Sequence, residues 1–151
     1  MTTSTIIKTP IGFIKLAANE NALIACCFTD EKKITTPRSD ILKNAADQLY
    51  AYLQGKLKKF DVPLLPEGTD FQKKVWAALQ KIPYGDTRSY KEIAIAIRNH
   101  NASRAVGSAN GKNPLCIFIP CHRVVCSSGN MGGYSGGIKY KKELLALEMS
   151  L

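Results

Sequence analysis

The stretch "GKLKKFDVPLLPEGTD", residues 55–70, most constrains how this chain can fold. Pro63 and Pro66 each lack a backbone N–H, so neither a continuous helix nor a central strand can run through them. Mixed charge on both sides marks the stretch as a connection rather than core. The sequence before it reads as short strands and one helix, and the sequence after it reads as mostly helical. The expected fold class is therefore α+β in two lobes, residues 1–65 and 66–151, with the boundary within 62–69.

In the first lobe, "STIIKT", "FIKLAA" and "ALIACCFT" are β-rich runs separated by the turn-forming "PIG" and "NENA". "TTPRSD" then supplies N-cap residues. From Asp40 to Gln54 the apolar positions Ile41, Leu42, Ala45, Ala46, Leu49, Tyr52 and Leu53 recur at helical spacing, and Gly55 is a natural stop.

The second lobe opens with "TDFQKKVWAALQKI", whose Phe71, Val75, Ala78, Leu79 and Ile82 share one helical face before "PYG" ends it. "SYKEIAIAI" begins with Ser89 and Glu92 at capping-box spacing. After "RNHNA" a second short helix is expected over "SRAVGSAN". Two short helices across a short break fit a helix-turn-helix, or a plain helical hairpin in a core. "NPLCIFIPCHRVV" reads as apolar and extended, "CSSGNMGGYSGG" as a glycine-rich loop, and "IKYKKELLALE" as a closing amphipathic helix.

Composition narrows the function classes. The longest apolar run, "LCIFI" at 115–119, is far too short to cross a membrane, and the first residues lack the pattern of a secretory signal. A cytoplasmic protein is expected. Five cysteines at 26, 27, 116, 121 and 126 do not form a disulfide framework. With only His100 and His122 and no C-x-x-C pair, no metal site is expected. A net charge of +9 fits nucleic acid as partner, and equally a solvated lysine surface.

The chemistry-bearing residues cluster late in the chain. Cys121, in "IPCHRVV", could be a buried thiol, a metal ligand, a hydrolase nucleophile or an acceptor used once. Its neighbour His122 is a candidate base, yet neighbours in an extended segment point to opposite sides. A turn at Pro120 or a bridging water would be needed. An acid to orient the imidazole could come from Glu143 or Glu148. The helix after "RNHNA" carries one long cation, Arg104, and then Ala105, Val106, Gly107 and Ser108, so its surface is nearly smooth. Such a helix suits close approach to a sugar–phosphate wall, with Arg104 as a wedge in the place of an extruded base. Tyr90, in the first turn of the preceding helix, could bond or stack on a base, or could be an ordinary amphipathic core residue.

"NPLCIFIPCHRVV" with the following "GGYSGG" resembles the signature of the O6-alkylguanine-DNA alkyltransferases. "SYKEIA", "SRAVGSANGKNP" and "LLALE" match that family in order and spacing, so the resemblance spans about residues 70–150. "SANGKNP" is closer to its constitutive bacterial branch. The first lobe is similar in pattern only, and the family implies a ribonuclease H-like arrangement there.

The resemblance implies direct-reversal DNA repair, in which an alkylated guanine is flipped from the duplex and its alkyl group moves irreversibly to Cys121. His122 would deprotonate the thiol through a water, Glu148 would orient His122, and Asn113 would brace the turn against the active-site segment. Arg104 would fill the gap in the base stack, and Tyr90 would help rotate the nucleotide and supply a proton. Ser103, Ala105 and Gly107 would lie along the DNA, and Val124, Tyr134 and Ser135 would line the base pocket. The implied partner is double-stranded DNA carrying O6-alkylguanine, with O4-alkylthymine left open, and the implied state is a monomer without cofactor. Rival readings are a non-enzymatic lesion-binding relative, in which the acceptor cysteine is replaced, a helix-turn-helix regulator, and a cysteine hydrolase.

Overall fold

The computed structural model describes residues 1–134 and 136–149. The chain divides into two compact units, Met1–Pro66 and Glu67–Leu151.

The first unit is a three-stranded antiparallel meander, β1 (Thr3–Thr9), β2 (Gly12–Ala18) and β3 (Leu23–Phe28), followed by helix α1 (Asp40–Leu53). Thr9 pairs with Gly12 across a tight turn, and Gly12 takes the positive φ of 141° that closing the turn requires. Ile14, Leu16 and Ala18 alternate along β2 and are all buried, so one face of the sheet is core. Leu42, Ala45, Ala46 and Leu49 of α1 form the buried helical stripe. Each such leucine contributes roughly 1.5–3 kcal/mol by leaving water. Ser39 caps α1 by accepting the Leu42 N–H at 3.2 Å.

The second unit begins with α2 (Asp70–Leu79), entered through a capping box in which Thr69 and Gln72 satisfy each other's backbone N–H groups. The sequence pattern puts Phe71 and Ala78 on the apolar face, and both are half-buried. It passes over Trp76, which is fully buried and donates its indole N–H to the Ala109 carbonyl at 2.9 Å. Gly68 is required by that indole, because a Cβ there would lie 2.5 Å from a ring carbon of Trp76.

A two-residue strand β4 (Arg88–Ser89) leads into α3 (Tyr90–Ala96), and α4 (Ser103–Gly111) follows after residues 97–102. β4 pairs in parallel with β5 (Val124–Val125), Arg88 opposite Val124 and Ser89 opposite Val125. That pairing starts α3 beside the segment that carries Cys121. The last helix, α5 (Ile138–Met149), buries Lys141, Leu144, Leu145 and Glu148 on one face. Among the described residues no helix is long and apolar enough to cross a membrane.

Candidate active site

The segment before Cys121 is not extended, contrary to its apolar pattern. Asn113 folds it: its side-chain oxygen accepts the Leu115 N–H at 2.9 Å, and its amide donates to the Ile119 carbonyl at 2.8 Å. Between those two anchors the chain makes tight turns, with Phe118 N–H to Cys116 O at 2.9 Å and Ile119 N–H to Leu115 O at 2.9 Å. Ile117, at the bend, has φ 75°, a left-handed conformation strained for a β-branched residue. Pro120 then forms an inverse γ-turn (φ −79°, ψ 64°), closed by the Cys121 N–H on the Ile119 carbonyl at 2.7 Å. Cys121, His122 and Arg123 form one turn of 3₁₀-helix, in which successive side chains fan out by a third of a turn instead of alternating. This removes the geometric objection to a cysteine and its neighbouring histidine acting together.

Cys121 and His122 are both fully buried. His122 Nε2 meets Glu148 Oε2 at 2.7 Å. The same carboxylate receives Arg123 in a two-pronged fork, Nε on Oε1 at 2.8 Å and Nη2 on Oε2 at 2.9 Å. Arg123 Nη1 continues to the Ile82 carbonyl at 2.7 Å, and the Gly85 N–H reaches Glu148 Oε1 at 3.3 Å. Glu148 is thus the buried acid beside the imidazole. Glu143, the other candidate acid, is only half-buried on α5.

Burial holds the His122 pKa below its ordinary value, outweighing the pull of Glu148 in the other direction. The imidazole is accordingly neutral at pH 7, and with Glu148 on Nε2 it is Nδ1 that carries the basic lone pair. The Cys121 thiol is pushed well up, first by a hydrogen bond with the Cys116 side chain and then by burial, while Asn113 and Lys141 act the other way. A protonated thiol beside a neutral base is a resting nucleophile that has yet to be deprotonated.

Tyr90 is the first residue of α3, set by the Ser89–Glu92 capping box. Its ring lies against Gly107 of α4, where an added Cβ would sit 3.7 Å away. Its hydroxyl lies over Gly132, where a Cβ would come within 2.6 Å, so a side chain at 132 would displace it. Burial raises the Tyr90 pKa, with Cys126 and Cys121 adding to the shift and the Gly133 backbone opposing it. Tyr90 is therefore a proton holder within electrostatic reach of the candidate acceptor.

Arg104 and Ala105 are exposed near the start of α4, and Ser103 and Gly107 are half-exposed beside them. Val106, Ala109 and Asn110 face inward. Val124 is buried, with its N–H on the Cys121 carbonyl and its own carbonyl accepting from Lys141 at 2.6 Å. One lone pair of that carbonyl is thus already engaged. Tyr134 is half-buried in the glycine-rich loop, and Ser135 lies outside the described residues.

Four further residues that sequence reasoning missed belong to this cluster. Arg123 is one letter from the cysteine–histidine pair. Asn110 donates from α4 to the Cys121 carbonyl at 3.3 Å. The Cys116 side chain hydrogen-bonds to the Cys121 thiol. Lys141 is the largest omission: its buried ammonium donates to the carbonyls of Val124, Met131 and Gly133, the latter at 3.0 Å, stapling the glycine-rich loop to β5. The signal for it is its spacing, since 141, 144, 145 and 148 fall on one helical face.

Residues 70–150 match the DNA-binding domain of the 6-O-methylguanine DNA methyltransferases, and residues 3–66 match their ribonuclease-like domain. The chain belongs to the 6-O-methylguanine DNA methyltransferase family. Similar members are found in archaea and bacteria. The methylated-DNA–protein-cysteine methyltransferase of Methanosarcina barkeri is 52% identical over 149 residues, covering 95% of this chain and 94% of its own. That of Mycobacterium bovis is 48% identical over 149 residues, with 95% and 90% covered. The crystal structure of the Mycobacterium tuberculosis O6-methylguanine methyltransferase superposes with a TM-score of 0.89 at 46% identity, covering 99% of this chain and 93% of that one. The mycobacterial protein in complex with DNA gives 0.89 at 48% identity, covering 97% and 92%. The α+β class expected from the sequence, with a sheet-and-helix lobe followed by a helical lobe, is the fold of this methyltransferase family.

Proposed function

We propose that this protein repairs O6-alkylguanine in double-stranded DNA by moving the alkyl group to Cys121, once per molecule. The observation that carries the reading is the buried Arg123–Glu148–His122 ladder, whose imidazole follows Cys121 in the same 3₁₀ turn. Glu148 holds Nε2, so His122 takes the thiol proton at Nδ1 through a water. Cys121 Sγ then attacks the alkyl carbon, forming the S–C bond as the C–O6 bond breaks. The electron pair goes to the guanine, which Tyr90 protonates. The proton taken up by His122 replaces, by way of solvent, the one given by Tyr90, so the net change is loss of one proton from the thiol and gain of one by the base.

Because the attacked carbon must reach a fully buried sulfur, the base has to leave the duplex. Arg104, exposed near the start of α4, would occupy the vacated place, with Ser103, Ala105 and Gly107 against the backbone. Val124, Tyr134 and Ser135 would line the pocket for the base. A thioether is not hydrolysed by water, and among the described residues around Cys121 nothing would cleave one, so turnover stops at one. The relatives' names and the mycobacterial DNA complex support DNA as the partner. A monomer suffices, since every proposed residue comes from one chain.

The test is intact mass and peptide mapping after incubation with duplex DNA bearing one O6-methylguanine. One methyl on Cys121, saturating at one per molecule, is the expected result. Tight lesion binding without any adduct would replace this reading with a non-enzymatic recognition protein.

A further inference from the structure

The second unit carries a cleft of about 550 Å³, within the size range of ligand sites, lined by α2, β4 and α3. None of the residues proposed for alkyl transfer lines it, and it is linked to that site through Ile82, whose carbonyl receives Arg123. Its floor is aliphatic and small: Ala77 and Ala78 from α2, Ile93 and Ala96 from α3, and Ile97 just after it. Its rim is basic, with Lys74, Lys81, Arg88 and Arg98 against a single carboxylate, Glu92. Glu92 is already committed to the Ser89 backbone N–H at 2.9 Å. Arg88 has Asp86 at 3.8 Å and the Thr87 carbonyl at 2.9 Å. Lys74, Lys81 and Arg98 have no ion pair among the described residues, and all three are exposed. Beside the cleft on α3, Ile95 is nearly half-exposed at 46%.

We propose that this cleft docks an acidic peptide segment of a partner protein, its aliphatic side chains on the alanine–isoleucine floor and its carboxylates on Lys74, Lys81 and Arg98. Charge complementarity sets the sign of the occupant, and the apolar floor sets its kind. A duplex backbone presents no aliphatic groups to fill such a floor, and no aromatic side chain lines it for a base to stack on. A second copy of this chain is a poor source, because its twelve acidic residues are scattered, with Asp30 and Glu31 the only adjacent pair. An extended or helical segment laying small apolar side chains into an interhelical groove, with flanking acids on a basic rim, combines two recurring modes of peptide recognition. The proposal stands independently of the chemistry at Cys121.

The test uses the full chain and a fluorescein-labelled peptide, Asp-Asp-Leu-Asp-Leu-Asp-Asp, read by fluorescence anisotropy and by amide shifts in ¹⁵N spectra. Saturable binding in the micromolar range is expected, with shifts centred on Ala77, Ala96 and Arg98. Lys81→Glu with Arg98→Glu should weaken it at least about tenfold. Ala77→Trp, at an exposed floor position, should do the same by filling the cleft, and all variants should keep wild-type reaction with benzylguanine. Replacing the leucines by serine should also abolish binding; unchanged binding would mean that the surface reads charge alone, and the proposal fails. It also fails if the peptide does not bind, or if unmodified duplex DNA displaces it and the same variants lose DNA affinity, which would make the rim a phosphate contact.

Discussion

Glu148 holds His122 and Arg123 at once, Nε2 at 2.7 Å and the guanidinium fork at 2.8 and 2.9 Å, from the far end of the last helix. One carboxylate therefore fixes the tautomer of the imidazole and neutralises the arginine packed beside it. Glu148→Gln keeps the shape but leaves a buried guanidinium uncompensated. The expected cost is roughly 3–5 kcal/mol of stability, as for other buried ion pairs with one partner removed. The rate of alkyl transfer should fall about 10²–10⁴-fold, the usual worth of a positioned acid or base. Urea denaturation and single-turnover kinetics measure the two effects, and lesion affinity should change little.

His122 sets a pH dependence whose sign follows from burial. Its pKa is lowered in the fold, so below the ordinary value of about 6.5 the unfolded chain binds the proton more readily than the native one. Stability is therefore level above that pH and falls as pH drops through it. Denaturant midpoints between pH 8 and pH 5 should trace this decline, and His122→Asn should flatten the part that histidine causes. A midpoint that rose on acidification would mean a charged imidazole in the native state.

Lys141 ties residues 131–133 to β5. Lys141→Met removes the ammonium from three carbonyls, of which that of Val124 is fully buried, and should cost roughly 2–3 kcal/mol, since charge-assisted bonds are worth about that much. It also removes the cation that draws the Cys121 thiol down, so the pH profile of benzylguanine reaction should move to higher pH. Lys141→Arg should restore the profile in part if charge matters and not if only the fit of the ammonium does.

Arg104 is exposed near the start of α4 and makes no ion pair among the described residues. Arg104→Ala should slow repair of methylated duplex at least about tenfold while leaving benzylguanine within about twofold, because base extrusion costs a few kcal/mol that the free base does not require. Equal losses on both substrates would remove it from the flipping step.

How much of this is legible in the sequence depends on whether a signal is local. The stripe of α1, the capping box of α3 and the smooth surface of α4 are written in spacing and side-chain type, and they appear where the spacing puts them. The fold of residues 113–120 is not, because a short apolar run has no period of its own. There a single asparagine, bonded at both ends of the bend, overrides the β preference of Ile117 and holds it at positive φ. Lys141 and Arg123 are hidden for a different reason. Composition treats lysine and arginine as surface residues, and only the carbonyls and the carboxylate supplied by other parts of the chain make their burial tolerable.

Gly68 shows how far this dependence reaches. Its missing side chain makes room for the Trp76 indole; the indole holds the Ala109 carbonyl; and the next residue, Asn110, holds the carbonyl of Cys121. A position in the connecting segment, with no chemistry of its own, is thereby joined to Cys121 by three successive contacts. In a survey of mutational tolerance, position 68 should be as unforgiving as Cys121 and the residues bonded around it.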